Sequence, residues 1–191
     1  MKEEITRAFE ESIRVKQAFL HENLEALIQV VETLVGAFQR GNKLLIFGNG
    51  GSAADAQHIA AEFTNRFLIE RPPLPAIALT TDTSALTSIA NDFDYSQVFA
   101  KQVRALGKAD DVALAISTSG NSANVLAAVD ACRQLQITTI GLTGGSGGRL
   151  ASGVDLLLRA SAGRNSARIQ ETHILAGHVI CEMVDRKLFP S

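Results

Sequence analysis

Five short runs of uninterrupted apolar residues, set among helix-like stretches, constrain this chain more than any other feature. They are KLLIF (43–47), PAIAL (75–79), DVALAIS (111–117), ITTIGLT with its core at 138–143, and VDLLLRA (154–160). A strand with one wet face alternates apolar and polar residues, whereas a continuous apolar run belongs to a strand covered on both faces. Strands of this kind alternating with helices predict a parallel sheet. Right-handed crossovers then give an α/β fold: a doubly wound five-stranded parallel sheet sandwiched by helices. Such sheets bind ligands beyond the carboxyl ends of their strands. That rule points to three loops, GNGGS, TSGNS and GGSGG, which follow the first, third and fourth runs.

Residues 1 to about 40 contain no Pro and one Gly, and Ile5, Phe9, Ile13, Leu20, Leu24, Leu27, Val31, Leu34 and Phe38 recur at helical spacing. This predicts an N-terminal helical arm, divided in two near Leu20 to Asn23, that covers the sheet or pairs with another subunit. Residues 41–191 would form the α/β core, and the whole chain of 191 residues one domain. With 46% apolar and 20% charged residues it has a globular composition. The net charge of −2 leaves no basic surplus for nucleic acid or an anionic membrane. No apolar run approaches the roughly 20 residues of a membrane span, and the charged N-terminus has no secretory apolar region. Cys132 and Cys181 stand singly in helix-like stretches and read as buried, reduced thiols of a cytosolic protein.

The segment GNGGSAADAQH (48–58) joins a strand to a helix. Its glycines permit close approach of a ligand, and the helix N-terminus suits a phosphate or a polar sugar. No Gly-Lys-Ser/Thr follows and the GxGxxG spacing fails, so it is neither a nucleotide P-loop nor a dinucleotide fingerprint. The plainer reading is a turn with Ser52 as helix cap. Ser117, Thr118, Ser119 and Ser122 place four hydroxyls around Gly120 before another helix, without a Lys or Arg. Hydroxyls and N–H groups of this kind cradle the phosphate of a small metabolite, or simply cap the helix.

His58 and Glu62 lie i, i+4, on one helix face, where they could share a divalent cation, act as an acid/base pair, or form a surface hydrogen bond. Gln170, His173 and His178 lie on the last helical stretch, with Gln170 and His178 roughly 12 Å apart along a regular helix. Asn91 and Asp92 can hold sugar hydroxyls. Asp55 and Asp82 are further carboxylates near strand ends, Asp82 also a candidate cap. Arg66, Arg71, Arg164 and Arg168 are expected at the surface or at subunit contacts, and His21 in solvent.

Together, GNGGSAADAQHIAAE (48–62), TSIANDF (87–93), AISTSGNSANV (115–125), LTGGSGG (142–148) and ARIQETHILAGHVICEMVD (167–185) resemble the sugar isomerase, or SIS, family. Within it they resemble the bacterial isomerases of seven-carbon sugar phosphates, over essentially the whole chain. The resemblance implies a cytoplasmic homotetramer with active sites at subunit contacts. It implies conversion of sedoheptulose 7-phosphate to D-glycero-D-manno-heptose 7-phosphate, on the way to the activated heptoses of lipopolysaccharide and related envelope polymers. It also implies zinc held by His58, Glu62, Gln170 and His178, with Glu62 and His178 as the acid/base pair. Substrate contacts would come from Asn49, Gly50, Gly51, Ser52, Glu62, Asn91, Asp92 and Gln170, with Ser117, Thr118, Ser119 and Ser122 taking the phosphate. Some members carry Asp where this chain has Ala167, so no role carries over to that position. Two alternatives share the fold. NRF…ERP.LPAIAL (65–79) and SARIQE…LFP (166–190) also resemble a non-catalytic scaffold that binds the replication initiator DnaA. The other is a sugar-phosphate-sensing domain.

Overall fold

A computed structural model describes residues 1–190; Ser191 lies outside the described residues. All five expected strands are present: β1 (Leu44–Gly48), β2 (Ala76–Ala78), β3 (Val112–Ser117), β4 (Thr138–Gly144) and β5 (Leu156–Ala160). They form one parallel sheet in the order β2-β1-β3-β4-β5. The helices are α1 (Lys2–Gln39), α2 (Gly51–Thr64), α3 (Thr83–Asp92), α4 (Val98–Leu106), α5 (Ala123–Gln134) and α6 (Ser166–Leu188).

Every residue of β1 and β3 is buried, as the continuous apolar runs require. Successive side chains point to opposite faces, so the sheet divides two cores. Ile46, Leu114 and Ile116 pack with α1, α2 and α6 through Leu34, Ile59, Phe63 and Ile180. Leu45, Phe47, Ala113 and Ala115 pack with α4 and α5 through Phe99, Val103, Val125 and Val129. Phe47 and Phe99 stack with ring centroids 5.6 Å apart. Cys132 and Cys181 are both free and buried, and burial pushes each thiol up to about 12.

The strand order reverses between β1 and β3. The chain leaves β1 through α2 on one face and leaves β3 through α5 on the other. Their two loops therefore open side by side at the carboxyl edge, where doubly wound sheets hold their ligands.

The N-terminal arm is one uninterrupted helix of 38 residues, not two. The polar interval at Leu20 to Asn23 is spanned because Asn23 is buried and used. Its amide donates to Phe19 O at 2.7 Å and Arg159 O at 3.2 Å, and its carbonyl accepts Arg159 N–H at 2.9 Å. A polar residue in the helix interior thus ties the arm to β5. A stripe of Phe9, Leu20, Leu24 and Ile28 on α1 and Leu175 and Val179 on α6 stays exposed. Among the described residues, no helix is long and apolar enough to cross a membrane.

Candidate active site

The glycine loop after β1 is pressed against β3. A Cβ at Gly48 would stand 2.8 Å from both Ile116 O and Ser52 Cβ. Gly50 caps α2 with φ 58°, and no side-chain cap is made. Ser52 is therefore not the cap; it lies inside the first turn, buried. The reason is backbone geometry: the left-handed residue that turns the chain is Gly50, two positions earlier.

The hydroxyl loop after β3 is similarly fixed. Ser117 Oγ and Ser122 Oγ lie 3.0 Å apart, and Ser119 Oγ accepts the Asn121 N–H at 3.2 Å. Gly120 has φ +66° and lies against the loop after β4, where a Cβ would stand 1.8 Å from Gly147 O. Leu150 N–H donates to Gly120 O at 2.9 Å and Arg149 N–H to Asn121 Oδ1 at 3.1 Å. The GGSGG loop thus acts as a backing for the hydroxyl loop. Ser119 and Asn121 remain exposed, and Thr118 and Ser122 half-buried.

The loops after β1 and β3 are joined by a residue the sequence reading missed. Asn49 Nδ2 donates to Asn124 Oδ1 at 2.9 Å, and Asn124 Nδ2 donates back to Asn49 Oδ1 at 2.8 Å. Asn124 sits in the first turn of α5, buried, where the sequence suggests only a helix start. Tyr95, also missed, reaches Asn49 Oδ1 with its hydroxyl at 3.4 Å. Asn91 and Asp92, bonded to each other at 2.9 Å, end α3 three residues before Tyr95 and are exposed. Asp82 caps α3, accepting the Ala85 N–H at 2.9 Å.

Further along α2, His58 and Glu62 meet His178 from α6. His58 Nε2 lies 2.8 Å from His178 Nε2 and 3.3 Å from Glu62 Oε1. One ligand atom from each residue falls within 4.8 Å of the others. Two facing Nε2 atoms bond only if one carries a proton, whereas both lone pairs can serve one cation. Phe67 stacks on His178 with centroids 5.4 Å apart and planes 22° from parallel. Asp55, one turn before His58, has a buried carboxylate oxygen without a partner; burial lifts its carboxyl to about 6, against the pull of His58.

Gln170 is not brought to this cluster. Its amide lies over Gly51, where a Cβ would stand 2.5 Å from Nε2. α2 and α6 run side by side in parallel, Gln170 beside Gly51 and His178 beside His58, so two helical turns separate the two ends of the site. His173 faces inward instead. It is fully buried, with Nε2 3.0 Å from Thr143 O and burial pushing it down to about 4.

Of the arginines expected at the surface or at subunit contacts, Arg71 is fully buried and Arg168 is half-buried. The Arg71 side chain is 1% exposed and paired with Asp185, and Arg168 packs between α1 and α6, bonded to Ala8 O and Glu171. Arg66 is exposed beside Glu70, and Arg164 and His21 are exposed.

The profile of the SIS domain family matches residues 8–144, and this chain belongs to that family. Curated relatives narrow the class. The chain is 50% identical over 189 residues to the phosphoheptose isomerase of Thermodesulfovibrio yellowstonii, covering 99% of this chain and 94% of the relative. It is 55% identical over 180 residues to that of a Roseiflexus species, covering 94% and 91%. The solved phosphoheptose isomerase of Neisseria gonorrhoeae superposes with a TM-score of 0.91 at 48% identity, covering 96% of this chain and 98% of that one. Within the SIS family, the chain belongs to the phosphoheptose isomerases.

Proposed function

We propose that this chain converts D-sedoheptulose 7-phosphate to D-glycero-D-manno-heptose 7-phosphate, the first step toward activated heptoses of the cell envelope. The convergence of His58, Glu62 and His178 where two parallel helices pack side by side, in a chain of this family, carries the reading.

A ketose becomes an aldose when a proton leaves C1, an enediolate forms, and a proton returns to C2. Glu62 is the base that takes the C1 proton and returns it to C2. His178 gives a proton to O2 and accepts one from O1, so the proton count closes. Two imidazoles and a carboxylate match the nitrogen and oxygen donors that zinc prefers. His58, Glu62 and His178 would hold the ion, while Gln170, two helical turns away over Gly51, is left to contact the sugar rather than to complete the expected ligand set. Bound there, zinc would supply Lewis-acid polarisation of the carbonyl edge.

Ser117, Thr118, Ser119 and Ser122 take the phosphate without a cation. Asn49, Gly50, Gly51, Ser52, Asn91, Asp92 and Gln170 line the sugar. Phosphate binding far from the reacting carbons supplies orientation energy. The exposed stripe on α1 and α6 supports assembly into a homotetramer, and the reduced buried thiols a cytoplasmic setting. A DnaA-binding scaffold or a sensor has no use for Glu62 aligned with His178.

The test is NMR of sedoheptulose 7-phosphate with wild-type protein and Glu62→Gln. Wild type should build up the aldose phosphate, while E62Q should be slower by at least about 10²-fold. Near-full turnover by E62Q would remove Glu62 as the base.

A further inference from the structure

Below the His58–Glu62–His178 cluster lies a buried ion pair that touches both helices carrying it. Arg71 Nε donates to Asp185 Oδ1 at 2.9 Å. Nη2 donates to Glu62 O at 2.8 Å, and Nη1 to Phe63 O at 2.7 Å and to Asn65 O and Pro72 O at 3.2 Å. The two side chains are 1% and 4% exposed. Asp185 stands seven residues, two turns, beyond His178 on α6. The guanidinium therefore spans from α6 to the last carbonyls of α2, including that of Glu62 itself.

The same side chain decides where α2 stops. α2 ends at Thr64, with Asn65 as its C-cap. Arg71 takes the carbonyls of Glu62, Phe63 and Asn65, and Leu74 N–H also bonds Phe63 O at 3.0 Å. Residues 65–71 are thereby closed into a loop, and that loop carries the Phe67 ring stacked on His178. One guanidinium thus fixes the backbone of Glu62, the spacing of α2 from α6 and the aromatic wall of His178.

We infer that Arg71 and Asp185 are positioning residues of the isomerase site: a clamp that sets Glu62 against His178 rather than a mere stabiliser of the helix pair. The inference rests on the acid/base and metal reading of those residues given above. A planar fork is required, because a lysine ammonium is a point charge and cannot address Asp185 and the separate carbonyls together.

Arg71→Lys tests this, with Asp185→Asn, which keeps shape and an acceptor oxygen, as the second variant should R71K not fold. Lys43→Met is the control. It breaks a buried pair with Asp111 at the amino ends of β1 and β3, the opposite edge of the sheet from the site. The measurements are kcat and KM for sedoheptulose 7-phosphate, affinity of the chelator-stripped protein for zinc ion alone, and thermal unfolding. Groups that orient ligands from behind typically cost about 10–100-fold in activity or metal affinity when changed. The clamp variants should lose kcat and zinc affinity by that factor with KM nearly unmoved, while K43M loses only thermal stability. Active wild type with folded clamp variants that match it in kcat and zinc affinity overturns the clamp alone. Wild type that neither turns over substrate nor binds zinc overturns the functional reading and the clamp with it.

Discussion

His173 should make this protein acid-sensitive in a way that one substitution removes. Its Nε2 lies 3.0 Å from a carbonyl oxygen, which can only accept, so Nε2 carries the proton. Nδ1 is buried with no partner. A second proton would create a buried N–H without an acceptor on a ring that no solvent reaches, which is why burial lowers the group from 6.5 to about 4. The unfolded chain takes up that proton near pH 6.5, and the native state refuses it until about pH 4. Stability therefore falls as the pH falls through that window. At 1.36 kcal/mol per pKa unit, the full loss is about 3 kcal/mol, and roughly 2 kcal/mol of it is incurred by pH 5. For a chain of this size that corresponds to about 4–8 °C in Tm. His173→Gln keeps a donor for Thr143 O and cannot titrate. The assay is thermal unfolding of chelator-stripped wild type and H173Q at fixed protein concentration, at pH 7.5 and pH 5. Asp55 works in the opposite direction, its raised carboxyl relieving strain as the pH falls, but it does so equally in both proteins and cancels in the difference. Wild type should lose more Tm than H173Q by that amount. Equal losses would refute the buried neutral imidazole.

Other substitutions probe the loops. Gly120→Ala puts a methyl 1.8 Å from Gly147 O on a left-handed backbone; strain and overpacking together should cost about 2–4 kcal/mol and raise KM, and unfolding and kinetics identical to wild type would contradict the backing role of the GGSGG loop. Ser119→Ala or Ser122→Ala should raise KM for the sugar phosphate about tenfold by removing a hydrogen bond to a charged oxygen; an unchanged KM would take the phosphate out of this loop.

The reading of the sequence reached the fold because its signal is local. Buried parallel strands write themselves as continuous apolar runs, and Gly48, Gly50 and Gly120 mark where the backbone must turn or approach closely. His58 and Glu62 were legible as a pair because four residues is one helical turn. What was not legible depends on separation in sequence. Asn49 and Asn124 meet across 75 residues, and Arg71 and Asp185 across 114. A lone Arg between Glu70 and two prolines reads as surface, and only the packed structure shows four carbonyls and a carboxylate waiting for it. The break expected near Asn23 failed for the same reason: the polar residue's partner, Arg159, lies on a strand 136 residues away.

The most direct measurement is turnover of sedoheptulose 7-phosphate by chelator-stripped protein, followed by NMR, with and without added zinc. The His58–Glu62–His178 site predicts that the aldose phosphate appears with zinc and that stripping suppresses it. A folded protein that gives no aldose phosphate in either state would contradict the assignment of an isomerase site to these three residues, and undiminished turnover after stripping would contradict the role given to the metal.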